Sequence, residues 1–489
     1  MNAPLASYAF AREFGVFDAG EAHGALQVMF RQGADLGALS ELRRVAGLPL
    51  ALQVLSPEKY QEQLTLIFGE GGARAANMVD DIAEIADLSD LIEDMPRLED
   101  LLDAEEDAPV IRLINVLLAE ALRQGASDLH FEMFEARAIV RFRIDGQLRD
   151  IVEPKRGLHS AIVSRIKIMA GLDIAEKRLP QDGRIALRIA GRPVDVRVST
   201  LPTGHGERVV LRLLDKSANR LELEKLGMRP QVLKGLQTLL HQPHGIILVT
   251  GPTGSGKTTT LYAALSSMNS AKTNIMTVED PIEYDLDGVG QTQINSRIEM
   301  TFARALRAIL RQDPDVIMIG EIRDRETAQI AVQASLTGHL VLATLHTNDA
   351  TSAVTRLIDM GIEPFLLASS LIGVLAQRLA RLLCPHCKRA TPAEAGELEQ
   401  LGLTEASILY RASACPECNH SGYRGRTGLY ELLVVDDELR TLIHQGGDEQ
   451  QLRKLAQEKG MALLRDDGVA RVVAGETALE EILRVTRDS

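Results

Sequence analysis

The stretch GIILVTGPTGSGKTTT, residues 245–260, is the most informative part of the sequence about the fold of the larger part of the chain. It consists of an apolar run over 245–250, a glycine-rich loop over 251–258 and the start of a helix at about residue 259. The loop has the spacing G-x-x-x-x-G-K-[ST], in which glycines let backbone N–H groups turn inward around phosphate oxygens. A strand, this loop and a helix in that order predict a nucleotide-binding site in an α/β domain.

Each residue of the loop has an expected part in holding a triphosphate. Lys257 supplies a mobile positive charge to the β- and γ-phosphates, and the Thr258 hydroxyl is a magnesium ligand. The N-terminus of the following helix adds its dipole. ATP and Mg²⁺ are therefore the expected ligands. The predicted contacts are Gly251, Pro252, Thr253, Gly254, Ser255, Gly256, Lys257 and Thr258.

Two further apolar runs, 274–278 and 316–320, are predicted strands that end in acids. The first leads into EDPIE, which ends at Glu283, and the second leads into Glu321. Because α/β sheets place ligands at the carboxyl ends of their strands, both acids are expected beside the loop. Hydrolysis needs acids there to organise magnesium and water. A solvated strand end is the alternative for either acid alone.

Basic side chains follow the same part of the chain. Arg304, Arg307 and Arg311 are spaced by three and four residues, so they are predicted to share one helix face, either contacting phosphate or merely solvated. His339 and His346 flank the apolar run 340–345. They are either hydrogen-bonded structural residues or γ-phosphate sensors and interface residues.

The composition sets the class of protein. The chain has 489 residues and a formal charge of 54 − 68 = −14, and it contains no Trp and only 3% aromatic residues. This balance disfavours a nucleic-acid motor, which needs a basic face and aromatic stacking. No apolar run reaches the roughly 18 residues that span a bilayer, and the first residues lack a signal-peptide pattern. A cytosolic protein of about three domains is therefore expected.

Shifts in composition predict the domain boundaries. Residues 1–75 are expected to form an N-terminal domain, 76–108 an acidic linker, 109–217 a smaller α+β domain, and 218–489 the α/β domain with a helical C-terminal tail. Residues 80–107 contain thirteen Asp or Glu and one base, a charge of 1 − 13 = −12. Such a run is a solvated linker or, given its helical apolar spacing, an amphipathic helix that binds a partner.

All four cysteines fall in two C-x-x-C pairs, Cys384 with Cys387 and Cys415 with Cys418, separated by 27 residues. Four thiolates at this spacing can close a tetrahedral Zn²⁺ site with no open position, so structural zinc is predicted in a module over 381–426. Disulfides are the alternative, and a reducing cytosol disfavours them.

Taken together, the motifs resemble those of the secretion ATPases of the type II and type IV pilus group, over nearly the whole chain. They are GPTGSGKTTT (251–260), TVEDPIEY (277–284), LRAILRQDPDVIMIGEIRD (306–324), TGHLVLATLHTND (337–349), ASDLHFE (126–132), RFRIDG (141–146), LPQDGR (179–184) and VDVRVS (194–199). The resemblance implies a RecA-like P-loop motor domain, a smaller α+β N-terminal domain joined to it by a hinge, a zinc-binding insertion and a separate N-terminal docking domain.

The resemblance also implies roles for single residues. Glu283 is expected to polarise the attacking water, and Glu321 to hold magnesium through water. Arginines of the smaller domain and of the motor domain are expected to contact the γ-phosphate, and two histidines form the family's histidine box. These arginines are Arg197, Arg212, Arg307 and Arg311, and the histidines are His339 and His346.

The implied function is that of a cytoplasmic, hexameric ATP hydrolase, a protein-secreting translocase. It would drive pseudopilus assembly and export through the type II secretion system. The type IV pilus extension ATPases share every motif, so that function stays open. The implied partners are the cytoplasmic domain of the inner-membrane general secretion pathway protein L and the platform protein F. These partners would hold the ring peripherally on the inner membrane. Nucleic acid is not an expected partner. A module that binds nucleotide without hydrolysing it would leave the acids idle.

Overall fold

The computed structural model describes residues 11, 14–22, 25–34, 36–56, 59–60, 108–189, 192–215, 222–268, 271–403 and 407–487. The chain divides into two units, Met1–Arg143 with Leu148–Lys216 and Ile144–Gln147 with Ser217–Ser489. The predicted acidic linker, 76–108, lies outside the described residues except for its last position. Within these ranges, no helix has the length and apolar character needed to cross a bilayer.

The first unit begins with a three-stranded sheet. It contains β1 (Val16–Ala22), β2 (Ala25–Arg31), α1 (Leu36–Ala46) and β3 (Leu50–Leu55), and the strand order is β1-β2-β3. β1 and β2 are antiparallel, whereas β2 and β3 are parallel, so the chain needs a crossover between them. α1 supplies this crossover, and its Leu42 is buried in the same core as Phe17 and Val28.

The rest of the first unit is a six-stranded sheet with two helices. Its elements are α2 (Ala108–Arg123), β4 (Ala126–Met133), β5 (Ala138–Ile144), β6 (Gln147–Val152), α3 (Leu158–Met169), β7 (Gln181–Ile189), β8 (Arg192–Thr203) and β9 (Gly206–Asp215). The strand order is β6-β5-β4-β9-β8-β7. Asp145 and Gly146 both have positive φ, as a two-residue hairpin turn between β5 and β6 requires.

The second unit is built on a seven-stranded sheet of order β12-β11-β13-β14-β10-β15-β18. Six strands are parallel, and β18 is antiparallel at one edge. The strands are β10 (Gly245–Thr250), β11 (Ile275–Glu279), β12 (Val289–Gln293), β13 (Val316–Ile319), β14 (Leu340–Leu345), β15 (Leu371–Leu383) and β18 (Tyr423–Val434). The prediction of strands alternating with helices around a parallel sheet is confirmed.

Helices cover both faces of this sheet. They are α4 (Pro230–Leu240), α5 (Lys257–Ser267), α6 (Phe302–Ile309), α7 (Arg325–Leu336), α8 (Ala350–Asp359) and α9 (Pro364–Ser370). Every residue of β10 and β14 is buried, because each strand is covered on both faces. β10 is an interior strand, between β14 and β15, so the loop that follows its carboxyl end has neighbouring strands on both sides.

A small cysteine-bearing module interrupts the chain between β15 and β18. It contains β16 (Arg389–Pro392), α10 (Ala395–Leu401) and β17 (Ile408–Arg411), and β16 pairs with β17 in a two-stranded antiparallel sheet. Because β15 and β18 are antiparallel neighbours, the module extends from their shared end.

The C-terminal tail consists of α11 (Asp437–His444), α12 (Glu449–Glu458), α13 (Leu464–Val473) and α14 (Leu479–Val485). A carboxylate on β18, that of Glu431, is only 2% exposed and joins this tail to the sheet. One of its oxygens accepts the N–H of Ala350 at 2.9 Å, and the other accepts that of Leu464 at 3.1 Å. The first turns of α8 and α13 are thus held by one side chain, which satisfies N–H groups that lack partners within each helix.

Candidate functional site

The glycine-rich loop joins the end of β10 to the first residue of α5, as predicted, although the helix begins two residues earlier than expected. Gly256, just before the helix, has a φ of 89°, a left-handed conformation that favours glycine. A Cβ at this position would come within 2.8 Å of the Gln377 side-chain nitrogen. The loop therefore needs glycine both for its backbone conformation and for this close approach.

Lys257 is only 9% exposed, and its ammonium folds back onto the loop. Nζ donates to the carbonyl oxygens of Gly251 at 2.7 Å and Pro252 at 3.1 Å. Burial lowers the pKa of Lys257 to about 8, and the nearby Glu321 carboxylate opposes the shift. The loop thus holds a poorly solvated cation that gains from a negatively charged ligand.

Gln377 on β15 supports the loop from beneath, and the sequence analysis did not identify it. Its side chain is 2% exposed. Oε1 accepts the Thr260 hydroxyl at 2.7 Å, and Nε2 donates to the Ser255 carbonyl at 2.7 Å. One amide therefore ties the loop to the first turn of α5. A polar residue within the otherwise apolar run 371–377 was the available signal.

The strands that carry the predicted acids are parallel neighbours, with Val278 of β11 opposite Ile319 of β13. Glu279, at the end of β11, is 3% exposed and accepts hydrogen bonds from the hydroxyls of Thr277 at 2.5 Å and Tyr262. Its oxygens are therefore occupied within the protein. Glu283, four residues later, is half-buried, and its N–H donates to the Tyr262 hydroxyl at 3.2 Å.

Glu321 follows β13 and is surrounded by cations and a histidine. Arg323 bonds one of its oxygens, and Nε2 of His346 lies 3.6 Å from the other. Arg323 also approaches Asp280, at 3.8 Å, so it links the two acidic segments. Burial and the Lys257 cation lower the pKa of His346, which is therefore neutral at neutral pH. This edge thus brings together Lys257, Glu321, His346 and Arg323.

The two predicted histidines lie at opposite ends of β14, so only His346 belongs to this group. His339 precedes the strand, and its Nδ1 lies 2.8 Å from the carbonyl oxygen of Ala334 at the end of α7. Its backbone carbonyl accepts the N–H of Gly245, the first residue of β10. His339 therefore lies at the amino end of the parallel strands, away from the glycine-rich loop.

The prediction that three arginines share one helix face is wrong for Arg311, because α6 ends at Ile309. Asp313 has a positive φ and precedes a proline, a combination that stops the helix. Arg307 lies within α6 and pairs with Glu326 at 2.5 Å. Arg311 donates to the Arg307 carbonyl at 2.6 Å.

The remaining predicted arginines belong to the first unit. Arg197 on β8 lies directly opposite Arg212 on β9. Arg212 also lies opposite Asp128 on β4 and donates to its carboxylate at 2.9 Å. The sheet of the first unit thus brings the two arginines together in one cross-strand row.

The four cysteines converge, and each Sγ lies within 4.8 Å of the others. The Cys384–Cys415 and Cys387–Cys418 sulfur distances are both 3.8 Å. Zn–S bonds of about 2.3 Å in a tetrahedron separate sulfurs by about 3.8 Å, whereas a disulfide requires about 2.05 Å. The arrangement therefore fits a metal site, and the thiols are unbonded to one another.

Comparison with known proteins gives consistent matches. Residues 103–484 match the sequence model of the family described as Type II/IV secretion system protein, and residues 5–68 match that of an N-terminal domain of GSPII protein E. The chain is 61% identical over 464 residues to Type II secretion system protein HxcR of Pseudomonas aeruginosa, covering 92% of this chain and 93% of that protein. It is 56% identical over 486 residues to Type II secretion system ATPase E of Vibrio cholerae, covering 99% and 96%.

Solved structures show the same likeness. The pilus retraction motor PilT with bound ADP is similar with a TM-score of 0.53 and 28% identity, over 77% of this chain and 97% of that chain. The ATPase DotB of Legionella pneumophila shares the fold with a TM-score of 0.59 and 20% identity, over 79% and 98%.

Proposed function

The chain belongs to the type II/IV secretion system protein family, and from that premise we propose that it is an ATPase that powers protein export through a type II secretion system. One observation carries the proposal. Glu321 follows β13 and Lys257 follows β10 at the same edge of the parallel sheet, and His346, which follows the intervening strand β14, lies 3.6 Å from the Glu321 carboxylate. Binding of a nucleotide needs a cation that contacts phosphate, and hydrolysis needs in addition an acid that holds the metal.

Each residue proposed to act in hydrolysis has its own role. The backbone of 251–256 and the Lys257 ammonium bind the β- and γ-phosphates. Thr258 and, through water, Glu321 would hold Mg²⁺, which would supply charge neutralisation on the transferred phosphoryl group. Glu283 polarises the attacking water. His346, neutral and beside Glu321, is suited to hydrogen bond to the γ-phosphate. The surroundings of His339 support a structural or interface role.

Four arginines are proposed to stabilise the transferring phosphoryl group: Arg197, Arg212, Arg307 and Arg311. Arg307 must leave Glu326 to do so. Both side chains of this pair are more than half exposed, so the pair contributes about 0–1 kcal/mol and is easily exchanged for a phosphate. An arginine that reaches the phosphate when one domain or subunit closes onto another is worth about 10³–10⁵ in rate, or roughly 4–7 kcal/mol of transition-state stabilisation. Hydrolysis would then depend on closure.

Zinc is proposed as a structural ion bound by Cys384, Cys387, Cys415 and Cys418. The module also bonds the C-terminal tail, because Lys388 donates to the Gly475 carbonyl at 2.7 Å. The ion's contribution is to fix the fold of the module, since four thiolates leave no open position for chemistry.

The assembly is proposed to be a cytoplasmic homohexamer that drives pseudopilus assembly. The match to an N-terminal domain of GSPII protein E over 5–68 supports docking of this region on general secretion pathway protein L, with platform protein F against the ring. Peripheral association with the inner membrane would come through these partners. The names of the relatives favour secretion over pilus extension, which shares the ATPase motifs.

The proposal is tested in two steps with the full chain. Purified protein should release phosphate from ATP, and Glu283→Gln should lower this rate by about 10²–10⁴-fold to a measurable residual value, whereas Glu458→Gln, which removes an exposed acid on α12, should not change it. In a bacterium that lacks its own type II secretion ATPase, the wild type should restore exoprotein secretion and Glu283→Gln should not. Restored pilus extension without restored secretion would favour the alternative.

A further inference from the structure

One buried hydroxyl, that of Tyr262 on α5, connects the helix of the glycine-rich loop to the acidic segment 279–284. Tyr262 is 0% exposed and packs edge-to-face against Tyr284, with ring centroids 4.6 Å apart. The segment 280–288 joins β11 to β12, and Glu283 lies within it. The phenol therefore joins α5 to the backbone of this segment.

The Tyr262 hydroxyl uses its full hydrogen-bonding capacity. It donates to Oε2 of Glu279, accepts the backbone N–H of Glu283 at 3.2 Å, and accepts Nε2 of Gln291 at 3.4 Å. A phenol has one donor and two acceptor positions. Gln291 is itself bonded to Glu279 at 3.1 Å. The backbone at Glu283 is thus fixed by a chain of bonds that starts on the helix behind the phosphate loop.

The Tyr262 hydroxyl must be protonated to donate to Glu279. Burial and the hydrogen bond to Glu279 raise the pKa of Tyr262, so its hydroxyl is protonated at neutral pH. The donor bond to Glu279 orients the hydroxyl, and the lone pairs then face the acidic segment. This oxygen atom therefore joins the backbone at Glu283 to α5.

We propose that Tyr262 is a positioning residue for hydrolysis, which holds Glu283 at the correct distance from a nucleotide bound to the glycine-rich loop. This inference rests on the proposed role of Glu283. Since α5 begins at Lys257, a single rigid helix carries both the phosphate-binding ammonium and the hydroxyl that fixes Glu283. Displacing a catalytic group by about 1 Å can cost about 10²-fold in rate.

The test is Tyr262→Phe in the full chain, which keeps the ring and removes only the hydroxyl. Tyr284→Phe is the matched control. Its ring packs against that of Tyr262, it lies in the same segment as Glu283, and its buried hydroxyl has no hydrogen-bond partner among the described residues. We expect Tyr262→Phe to lower kcat by about 10- to 100-fold while KM and the ATP affinity stay within about twofold. Tyr284→Phe should match the wild type.

A double-mutant cycle separates positioning from a general loss of packing. If Tyr262 acts through Glu283, adding Tyr262→Phe to Glu283→Gln should lower the residual rate no further. An equal fold-loss in both backgrounds, or a wild-type kcat for Tyr262→Phe while Glu283→Gln is strongly impaired, would overturn this inference alone. A wild-type rate for Glu283→Gln would overturn the role of Glu283 and this inference with it. No hydrolysis by the wild type would overturn the proposed function itself.

Discussion

Binding of nucleotide should be linked to protonation of Lys257, and this link can be calculated from the structure. Burial lowers its pKa from 10.5 to about 8, so about half of the side chains are neutral at pH 8 in the free protein. A bound triphosphate favours the charged form and raises the pKa again. Each chain should therefore take up about half a proton at pH 8 and about 0.9 at pH 9.

The same linkage fixes the direction of the affinity change. Because only the ammonium form binds phosphate well, the affinity should fall as the pH rises through the free-state pKa. Between pH 7 and pH 9 the fall is about tenfold. His346 does not contribute in this window, since its pKa is lowered and it is already neutral.

Isothermal titration calorimetry with ADP, in two buffers of different ionisation enthalpy, measures the proton uptake directly. Lys257→Gln has no ammonium at this position, so it should bind weakly with no proton uptake above pH 8. If the wild type took up no proton at pH 8.5 and kept one affinity from pH 7 to 9, Lys257 would be fully charged in the free protein, and burial would not lower its pKa.

Three further results are expected. Gln377→Leu leaves the Thr260 hydroxyl and the Ser255 carbonyl without their partner, so the free energy of unfolding should fall by about 2–4 kcal/mol and nucleotide affinity should weaken. Urea denaturation and ADP titration check this, with the exposed Gln457→Leu as control, and equal behaviour of the two variants would contradict it. Cys415→Ser should release zinc, as measured by metal analysis, while nucleotide binding persists, and an unchanged zinc content would refute the thiolate site. Dilute monomer should hydrolyse ATP much more slowly than hexamer fractions, because the arginines reach the phosphate only when one domain or subunit closes onto another. Equal specific activities would count against that dependence.

Local patterns predicted the parts of the site that are continuous in sequence. The run 245–258 forms a strand, loop and helix start in the expected order, with the helix beginning two residues early, since buried strand, glycine turn and helix are each encoded within a few residues. The cysteine pairs were equally readable because each knuckle is local, and only its partner is distant.

Contacts between distant residues could not be read in the same way. Gln377 and Ser255 are 122 residues apart, and they meet because β15 neighbours β10 in the sheet, an order that spacing does not encode. Tyr262 looks like an ordinary apolar residue of an amphipathic helix, and its hydroxyl gains a role only from the segment above it. For Arg311, helical periodicity was extended past a stop that Asp313 and Pro314 impose.

The single carboxylate of Glu431 affects how shortened versions of this chain should be interpreted. A truncation before Leu464 would remove one of its two N–H partners together with α13, which packs against β18, so this carboxylate would lose both a hydrogen bond and part of its cover. The other oxygen accepts the N–H of Ala350, four residues beyond His346, so the change would also affect the residues around His346 and Glu321. An inactive C-terminal truncation would therefore report a disturbed reaction centre, and it would be no evidence that the tail recruits a partner.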